Sequence, residues 1–444
     1  MGTKGYLKKE NIINFILYLI ILIMPLIVIN FSDYPRYVMG KVFFLYVANI
    51  IAIIISIIKN DFYIEKEHKI IMIFLVTIFI AFVFSPYKEV AFTGSTERNE
   101  GFSMFLVYTC LFFLASRYLK ITEKSVHLIL IVGSFSAIYG MLQFYGIDPI
   151  QKWALNGISV ANSIGTIGNR NFFSSYIVLF LSLSTALYIF KEKIIYLCYT
   201  LILFAGLVCS LTRGGWLGYG VVLVFIFIFS IISKKRKSRI LKMVAMAVCF
   251  IVIGGTLNST TDGSVTGRVN NLKEQITTTD EEVKAKSSAS SRVDILNMTL
   301  KAFKDRPLLG TGPDTLGNRL YDDYPIEMNN HISTYGQSVD KAHNEYLEYA
   351  TSCGIFTLIS YLTLVIMIGI KLIKRRKEEK YIIILMPIIG YLAQAVTNIS
   401  VPMVAPLFWI LLGYAVQEIY LGKNNTQKEV YINDLNEDNI QNKR

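Results

Sequence analysis

The chain has 444 residues, of which 53% are hydrophobic and 17% charged, with a mean hydropathy of +0.47; a chain this long and this apolar does not dissolve as a globule and reads as an integral membrane protein. Its formal net charge of +12 does not point to nucleic acid, because the basic residues collect in short segments between apolar runs and no aromatic-interleaved basic surface accompanies them. The five cysteines, Cys110, Cys198, Cys209, Cys249 and Cys353, fall in or beside apolar runs with no CxxC pairing, so disulfides are not expected.

Apolar windows of about 17–25 residues, the length that crosses a hydrocarbon core about 30 Å thick, recur along the chain. Twelve candidate spans lie near 12–29, 38–58, 70–84, 101–116, 126–145, 171–190, 194–210, 215–232, 243–257, 349–370, 381–399 and 403–420. The first run is too long for the core of a cleaved signal peptide, and no small-residue cleavage site follows it. Alternate connections carry the lysines and arginines: counted from an inside N-terminus, one set holds 27 of the 44 basic residues and the short loops of the other set hold seven. Short cytoplasmic loops retain such residues, so both termini read as cytoplasmic. The organisation is therefore residues 1–257 with nine spans, 258–342 as one large extracytoplasmic loop, 343–421 with three spans, and 422–444 as a disordered cytoplasmic tail.

Within the long loop, "TTTDEEVKAKSSASS" is charged, rich in Ser and Thr, and reads as mobile. The next stretch, "SRVDILNMTLKAFKDRP", places Val293, Leu296, Leu300 and Phe303 at helical spacing and ends at Pro307, which predicts an amphipathic helix lying on the membrane face. The following "LLGTGPDTLG" contains a GxG, but no strand precedes it and proline follows at once, so it reads as a tight turn and not as a nucleotide loop.

The ionisable residues near the outer face suggest chemistry. Arg213, in "CSLTRGGWLG", sits between two spans at interface depth, where a charge is costly and calls for a reason. Arg98 in "FTGSTERNEGF" and Arg170 in "GTIGNRNFF" also face outward by this topology, and each alone is accounted for as a loop anchor. Arg292 is expected to open the amphipathic helix, where a cation meets the positive end of the helix dipole unless an anion is held there. His343, one of only four histidines, stands at the mouth of the tenth span, with Tyr346, Leu347 and Ala350 expected on the same helical face. Arginine forks suit a phosphate and a neutral imidazole suits taking a proton from an alcohol. Together they describe a site for an anionic leaving group and a hydroxyl nucleophile.

The runs "GTIGNRNFFSSYI", "SLTRGGWLG", "SRVDILNMTLKAFKDRPLLGTGPDTL" and "AHNEYLEYATSCGI", with "FTGSTERNEGF" before them, resemble in order and spacing the O-antigen ligase and polysaccharide polymerase superfamily. The resemblance implies an all-α polytopic membrane protein of twelve spans with a large extracytoplasmic loop between the ninth and tenth. It implies a metal-independent, inverting transfer of a glycan from an undecaprenyl-pyrophosphate carrier to a hydroxyl acceptor that is a lipid, a protein or another glycan, at the outer face of a bacterial cytoplasmic membrane. No cofactor is implied. On this resemblance His343 is the base and Arg213 and Arg292 bind the pyrophosphate, with Arg98, Arg170, Asn344 and Tyr346 as further candidate substrate contacts. Arg170 departs from the pattern, since many members carry proline or alanine there.

Rival readings fit less well. A secondary transporter should carry ionisable residues inside its spans and hint at an internal repeat, whereas the span interiors hold almost no charges and no two halves match. A metal-dependent transferase would need paired carboxylates at the outer face. The first outer loop offers only Asp33, and the pair Asp322 and Asp323 reads as a solvated loop patch.

Overall fold

The computed structural model describes residues 9–29, 37–57, 64–150, 163–277 and 288–422; Asp33, the tail beyond 422 and most of "TTTDEEVKAKSSASS" lie outside the described residues. The first half of the chain forms α1 (Lys9–Leu22), α2 (Met39–Ile57), α3 (Lys66–Val83), the short α4 (Lys88–Thr93), α5 (Phe102–Tyr118), α6 (Glu123–Phe144), α7 (Arg170–Lys191), α8 (Ile195–Cys209), α9 (Arg213–Ile231) and α10 (Arg236–Ser259). Then come α11 (Ser264–Thr277), α12 (Ser288–Asp305), α13 (Leu316–Asp323), α14 (Pro325–Tyr335), α15 (Glu345–Cys353), α16 (Ile355–Lys374) and α17 (Glu379–Ala395), and last α18 (Ala405–Gly422). Among the described residues, seven helices are long and apolar enough to cross a membrane: α2, α6, α7, α9, α10, α16 and α18. The protein is thus a polytopic helical membrane protein. Helices also fall on the other five apolar windows, but they are shorter or carry more charge.

The bundle is built around α7, of whose apolar window 94% is buried, against 17% for the peripheral α10. Small residues make this close packing possible, as expected where helices associate by van der Waals contact and side-chain hydrogen bonds. Ser182 of α7 lies against Gly390 of α17, where a Cβ would come within 2.7 Å of its oxygen. Near the start of α7, Gln394 Nε2 donates to Ser174 Oγ (2.5 Å) and Asn398 Nδ2 donates to Ser175 Oγ (2.6 Å) and the Asn171 carbonyl (3.1 Å).

The two ends of the bundle differ in chemistry. At one end the basic connections pair with carboxylates: Lys371 with Glu67 (2.5 Å), Lys380 with Glu418 (3.1 Å), and Arg239 with Glu379. At the other end the segments 94–101, 163–170, 310–315, 340–345 and 396–404 gather over the start of α7. α12 and the segment after it share a small core of their own, made by Ile295, Met298, Ala302, Leu316, Leu320 and Met328. The "LLGTGP" turn docks this unit onto the bundle: Thr311 and Gly312 donate to the Ser352 carbonyl and Ile355 donates to the Pro307 carbonyl. Glycine is required at 354, where φ is +87° and a Cβ would lie 1.8 Å from the Leu308 carbonyl oxygen.

On α12 the apolar stripe Val293, Leu296 and Leu300 read from the sequence is exposed, while a second stripe of Ile295, Met298 and Ala302 packs the helix against α13 and α14. Two expectations are corrected. Because α12 begins at Ser288, Arg292 lies one turn inside it, so the dipole at the helix start is not what faces an anion. The tenth apolar run is broken at Gly354, and its first helix starts at Glu345 behind an Asn344 cap, which leaves His343 off the helix face assigned to it. Asp322 and Asp323 are exposed, as a solvated patch would be, and each has a partner: Asp322 accepts from Tyr87 Oη (2.6 Å) and Asp323 pairs with Arg319 (3.3 Å).

Candidate active site

The turn between α8 and α9 positions Arg213 through local chemistry. Leu211 takes a left-handed conformation (φ +49°), Thr212 sits at the helix N-cap, and its Oγ1 donates to the Arg170 carbonyl (3.2 Å), tying the turn to the start of α7. The two glycines that follow admit close neighbours: a Cβ at Gly214 would meet Thr397 Oγ1 at 2.2 Å and one at Gly215 would meet Ser174 Cβ at 2.8 Å. Arg170 begins α7 behind an Asn169 cap whose Oδ1 accepts from Asn171 N (2.8 Å). Arg213 therefore stands beside Arg170 because both head helices that pack side by side.

A third and a fourth guanidinium complete the cluster. Arg213 Nη2 donates to the Arg268 carbonyl (3.2 Å), and Arg268 Nε donates back to the Leu211 carbonyl (3.1 Å), so α11 is clasped to the α8–α9 turn. Burial, then the fields of Arg213, Arg170 and Arg292, depress the Arg268 guanidinium from its ordinary value; burial, Arg213 and Arg170 do the same to Arg292. All stay protonated. Four like charges held this closely repel one another, and an anion bound among them would relieve that repulsion.

His343 lies at the edge of this cluster. It is half-buried, with φ +49°, immediately before Asn344, whose Oδ1 caps α15 by accepting from Leu347 N (3.0 Å). Burial lowers the affinity of the imidazole for a proton; Asp340 raises it, and Arg292 and Arg98 lower it further. The Asp340 carboxylate accepts from Arg98 Nε at 2.6 Å, and the Arg98 guanidinium lies 5.5 Å from the centre of the Phe172 ring. The imidazole thus sits between one carboxylate and two cations, in a setting that favours its neutral form near pH 7.

Beneath His343 is a buried charge cluster that the sequence reading missed. Lys341 Nζ lies 3.0 Å from Asp314, 3.3 Å from Glu348 and 3.7 Å from Glu100, all with side chains almost inaccessible. Asp314 Oδ2 accepts from Ser95 N (2.7 Å) and Glu100 N (3.2 Å), and Glu100 Oε1 accepts from Ser400 Oγ (2.5 Å) and Tyr108 Oη (3.0 Å). Glu345 accepts from Tyr361 (2.8 Å) and Tyr391 (3.0 Å). The segments that carry Arg98 and His343, with the Asp314 turn, are thereby locked to one ammonium.

Burial holds the Glu100 carboxyl up to about 7, against the pull of Lys341 and the Ser400 hydroxyl, and burial holds Glu345 up to about 7 despite its tyrosine donors. A carboxyl raised in the folded chain contributes stability that is complete below its unfolded value of 4.5 and is lost as pH climbs to about 7. His343, being lowered, works in the opposite sense up to 6.5. Other lowered imidazoles, His331 among them, also oppose the two carboxyls, so the informative quantity is the difference between proteins: relative to wild type in detergent, the melting temperature of Glu100→Gln should rise as pH goes from about 5 to about 7.5. A difference that does not change over this window would contradict the assignment.

Of the residues singled out from the sequence, the structure gathers Arg213, Arg292 and Arg170 in one cluster and Arg98 and His343 around Asp340. Asn344 serves as a helix cap, and the Tyr346 hydroxyl donates to the Leu392 carbonyl (2.7 Å). Arg268, Asp340 and Lys341 were not singled out; Arg268 could have been noticed as the first basic residue after the ninth apolar run. Among the described residues no group of three or more His, Cys, Asp or Glu is arranged to hold a metal ion, and the carboxylates of the buried cluster surround an ammonium.

Residues 198–362 match the protein family described as O-antigen ligase. The matched stretch includes Arg213, Arg268, Arg292, Asp340 and His343. No curated protein matches the chain.

Proposed function

We propose, for a chain whose residues 198–362 place it in the O-antigen ligase and polysaccharide polymerase superfamily, a metal-independent inverting transfer of a glycan from an undecaprenyl-pyrophosphate carrier to an acceptor hydroxyl. The observation that carries this reading is the gathering of Arg170, Arg213, Arg268 and Arg292 beside a half-buried histidine biased toward its neutral form. The His343 imidazole takes the proton of the acceptor hydroxyl, whose oxygen forms a bond to the anomeric carbon from the face opposite the leaving group. The bond between that carbon and the pyrophosphate oxygen breaks, and the oxygen leaves with the electron pair, its new charge met by the arginines. Asp340 steadies the imidazolium formed in the step, and Arg98 holds Asp340.

A ligase passes a finished chain to a lipid or protein, and a repeat-unit polymerase passes it to a second carrier-linked glycan; both need the same base and clamp. We put the site at the extracytoplasmic end of twelve spans with both termini in the cytoplasm, because the opposite end bears the basic connections. In a chain stripped of its own cysteines, Asp262→Cys should label with an impermeant maleimide in intact cells and Lys237→Cys should not. The reverse pattern would put the arginine cluster in the cytoplasm and end the proposal.

The clamp is tested by lysine. Arg213→Lys and Arg292→Lys keep the charge but lose the planar fork that donates two parallel bonds to a phosphate. Each should insert normally and lower kcat/KM for transfer by about 10-fold or more. Wild-type transfer by both variants would move pyrophosphate recognition elsewhere.

A further inference from the structure

Beside the base, a pocket of about 240 Å³ opens between the start of α2, the 97–98 loop and the start of α7. Its walls include Tyr37, Glu97, Arg98, Asn169, Phe172 and Met403. It belongs neither to the arginine cluster nor to the buried lysine cluster, yet it shares Arg98 with the pair Asp340 and His343. Gly168 shapes it: with φ at +94°, this residue brings the backbone against Tyr37, whose Cβ a side chain at 168 would meet at 2.3 Å.

The lining mixes two kinds of surface. Tyr37, Phe172 and Met403 offer flat or compliant apolar walls. Glu97 makes no hydrogen bond to any described residue; Asn169 uses only its Oδ1 in capping α7, and its amide N–H groups make no hydrogen bond to a described residue. A pyranose ring has this same division, with an apolar C–H face and a rim of hydroxyls that planar carboxylate, amide and guanidinium groups recognise. The volume lies below the 300–1,000 Å³ or so of drug-sized sites and suits about one sugar ring. A polypeptide acceptor would need an extended groove that pairs with its backbone, and a hollow of about 240 Å³ is too small to hold one.

We propose that the pocket seats one sugar ring of the acceptor, so that the attacking hydroxyl belongs to a saccharide and is presented to His343 past Arg98. The inference rests on the transfer reaction proposed above and narrows its acceptor to a glycan, whether free, lipid-linked or part of a longer chain.

The test separates the two readings by measuring binding without turnover. The probe is the oligosaccharide repeat released by mild acid from the host's own carrier lipid, and binding to the full chain in detergent is followed by ligand-observed saturation-transfer NMR. Inorganic pyrophosphate is the second probe. Wild-type protein should transfer saturation to one terminal ring. Tyr37→Ala and Glu97→Gln should each weaken the oligosaccharide about 10-fold and leave pyrophosphate unchanged, while Arg213→Lys should do the reverse. Glu97 is exposed, so its variant stays informative even where Tyr37→Ala folds poorly. Equal oligosaccharide binding by wild type and Glu97→Gln, or no binding by wild type, would overturn the pocket assignment, and displacement of the sugar by a hydroxyl-bearing peptide would do so in favour of a protein acceptor. Unchanged pyrophosphate binding by Arg213→Lys would count against the clamp and leave the pocket standing.

Discussion

His343→Ala is expected to retain the carrier-linked glycan and to lose its transfer. The phosphate contacts proposed above come from Arg170, Arg213, Arg268 and Arg292, none of which depends on the imidazole, so donor retention should match wild type. General-base assistance is worth about 10²–10⁴ in rate, and accurate positioning of the hydroxyl adds to it, so polymer should fall below detection. His343→Gln keeps a hydrogen-bonding group near the same place and should leave a trace of activity. The acid limb of the pH–rate profile should lie below 6.5, because burial and the Arg292 and Arg98 charges lower the imidazole more than Asp340 raises it. Asp340→Asn removes the one nearby group that favours the imidazolium and should move that limb further down while slowing the step. The assay is purified protein in detergent with carrier-linked glycan and EDTA, scoring donor retention and transfer separately. Full transfer by His343→Ala would eliminate the base role, and transfer lost to EDTA and restored by magnesium would make the enzyme metal-dependent.

How much of this was legible in the sequence depends on the physical signal each residue leaves. Apolar windows are read by length and hydropathy alone, and a helix lies on each of them. Arg213 and Arg170 stood out because charge at the end of an apolar run is conspicuous, and the turn glycines beside Arg213 were visible as a motif. What proximity the fold creates was not legible. Arg268 is an ordinary arginine in a polar segment until α11 is clasped to the Leu211 carbonyl, and Asp340 is an ordinary aspartate until Arg98, 242 positions away in the chain, donates to it. On α12 the outward stripe was legible and the packed one was not: apolar residues recur there at two overlapping helical spacings, and only the fold shows that Ile295, Met298 and Ala302 meet protein. Asn344 and Tyr346 were drawn in by neighbourhood to His343, yet one caps a helix and the other bonds across to α17. Lys341 was hidden by composition: two residues before a histidine in a polar stretch it looks solvated, and only the packing of Asp314 and Glu100 from distant segments, with Glu348, around it makes it the pivot of the site.

Lys341→Met tests that pivot, and its effect should rival the loss of His343 while differing from it in kind. Removing one partner of a buried ion pair costs about 3–5 kcal/mol, since the remaining charge stays out of water, and here Asp314, Glu348 and Glu100 would all lose the same ammonium. Methionine restores most of the volume but none of the charge. The three carboxyls can then only take up protons or open the site. Asp314 would release the Ser95 and Glu100 amides, and the 94–101 loop with Arg98 would loosen from Asp340 and so from His343. Transfer and thermal stability should therefore fall together, unlike in His343→Ala, where stability should hold. Acidification supplies the discriminating measurement: protonating the orphaned carboxyls replaces what the lysine provided, so Lys341→Met should recover much of its melting temperature near about pH 5 and lose it steeply toward about pH 8. Adding Asp314→Asn and Glu348→Gln to Lys341→Met removes two of the stranded charges and should flatten that pH dependence. A Lys341→Met protein as stable as wild type at about pH 8 would mean that the ammonium is not what binds the loop, the turn and α15 beneath the base.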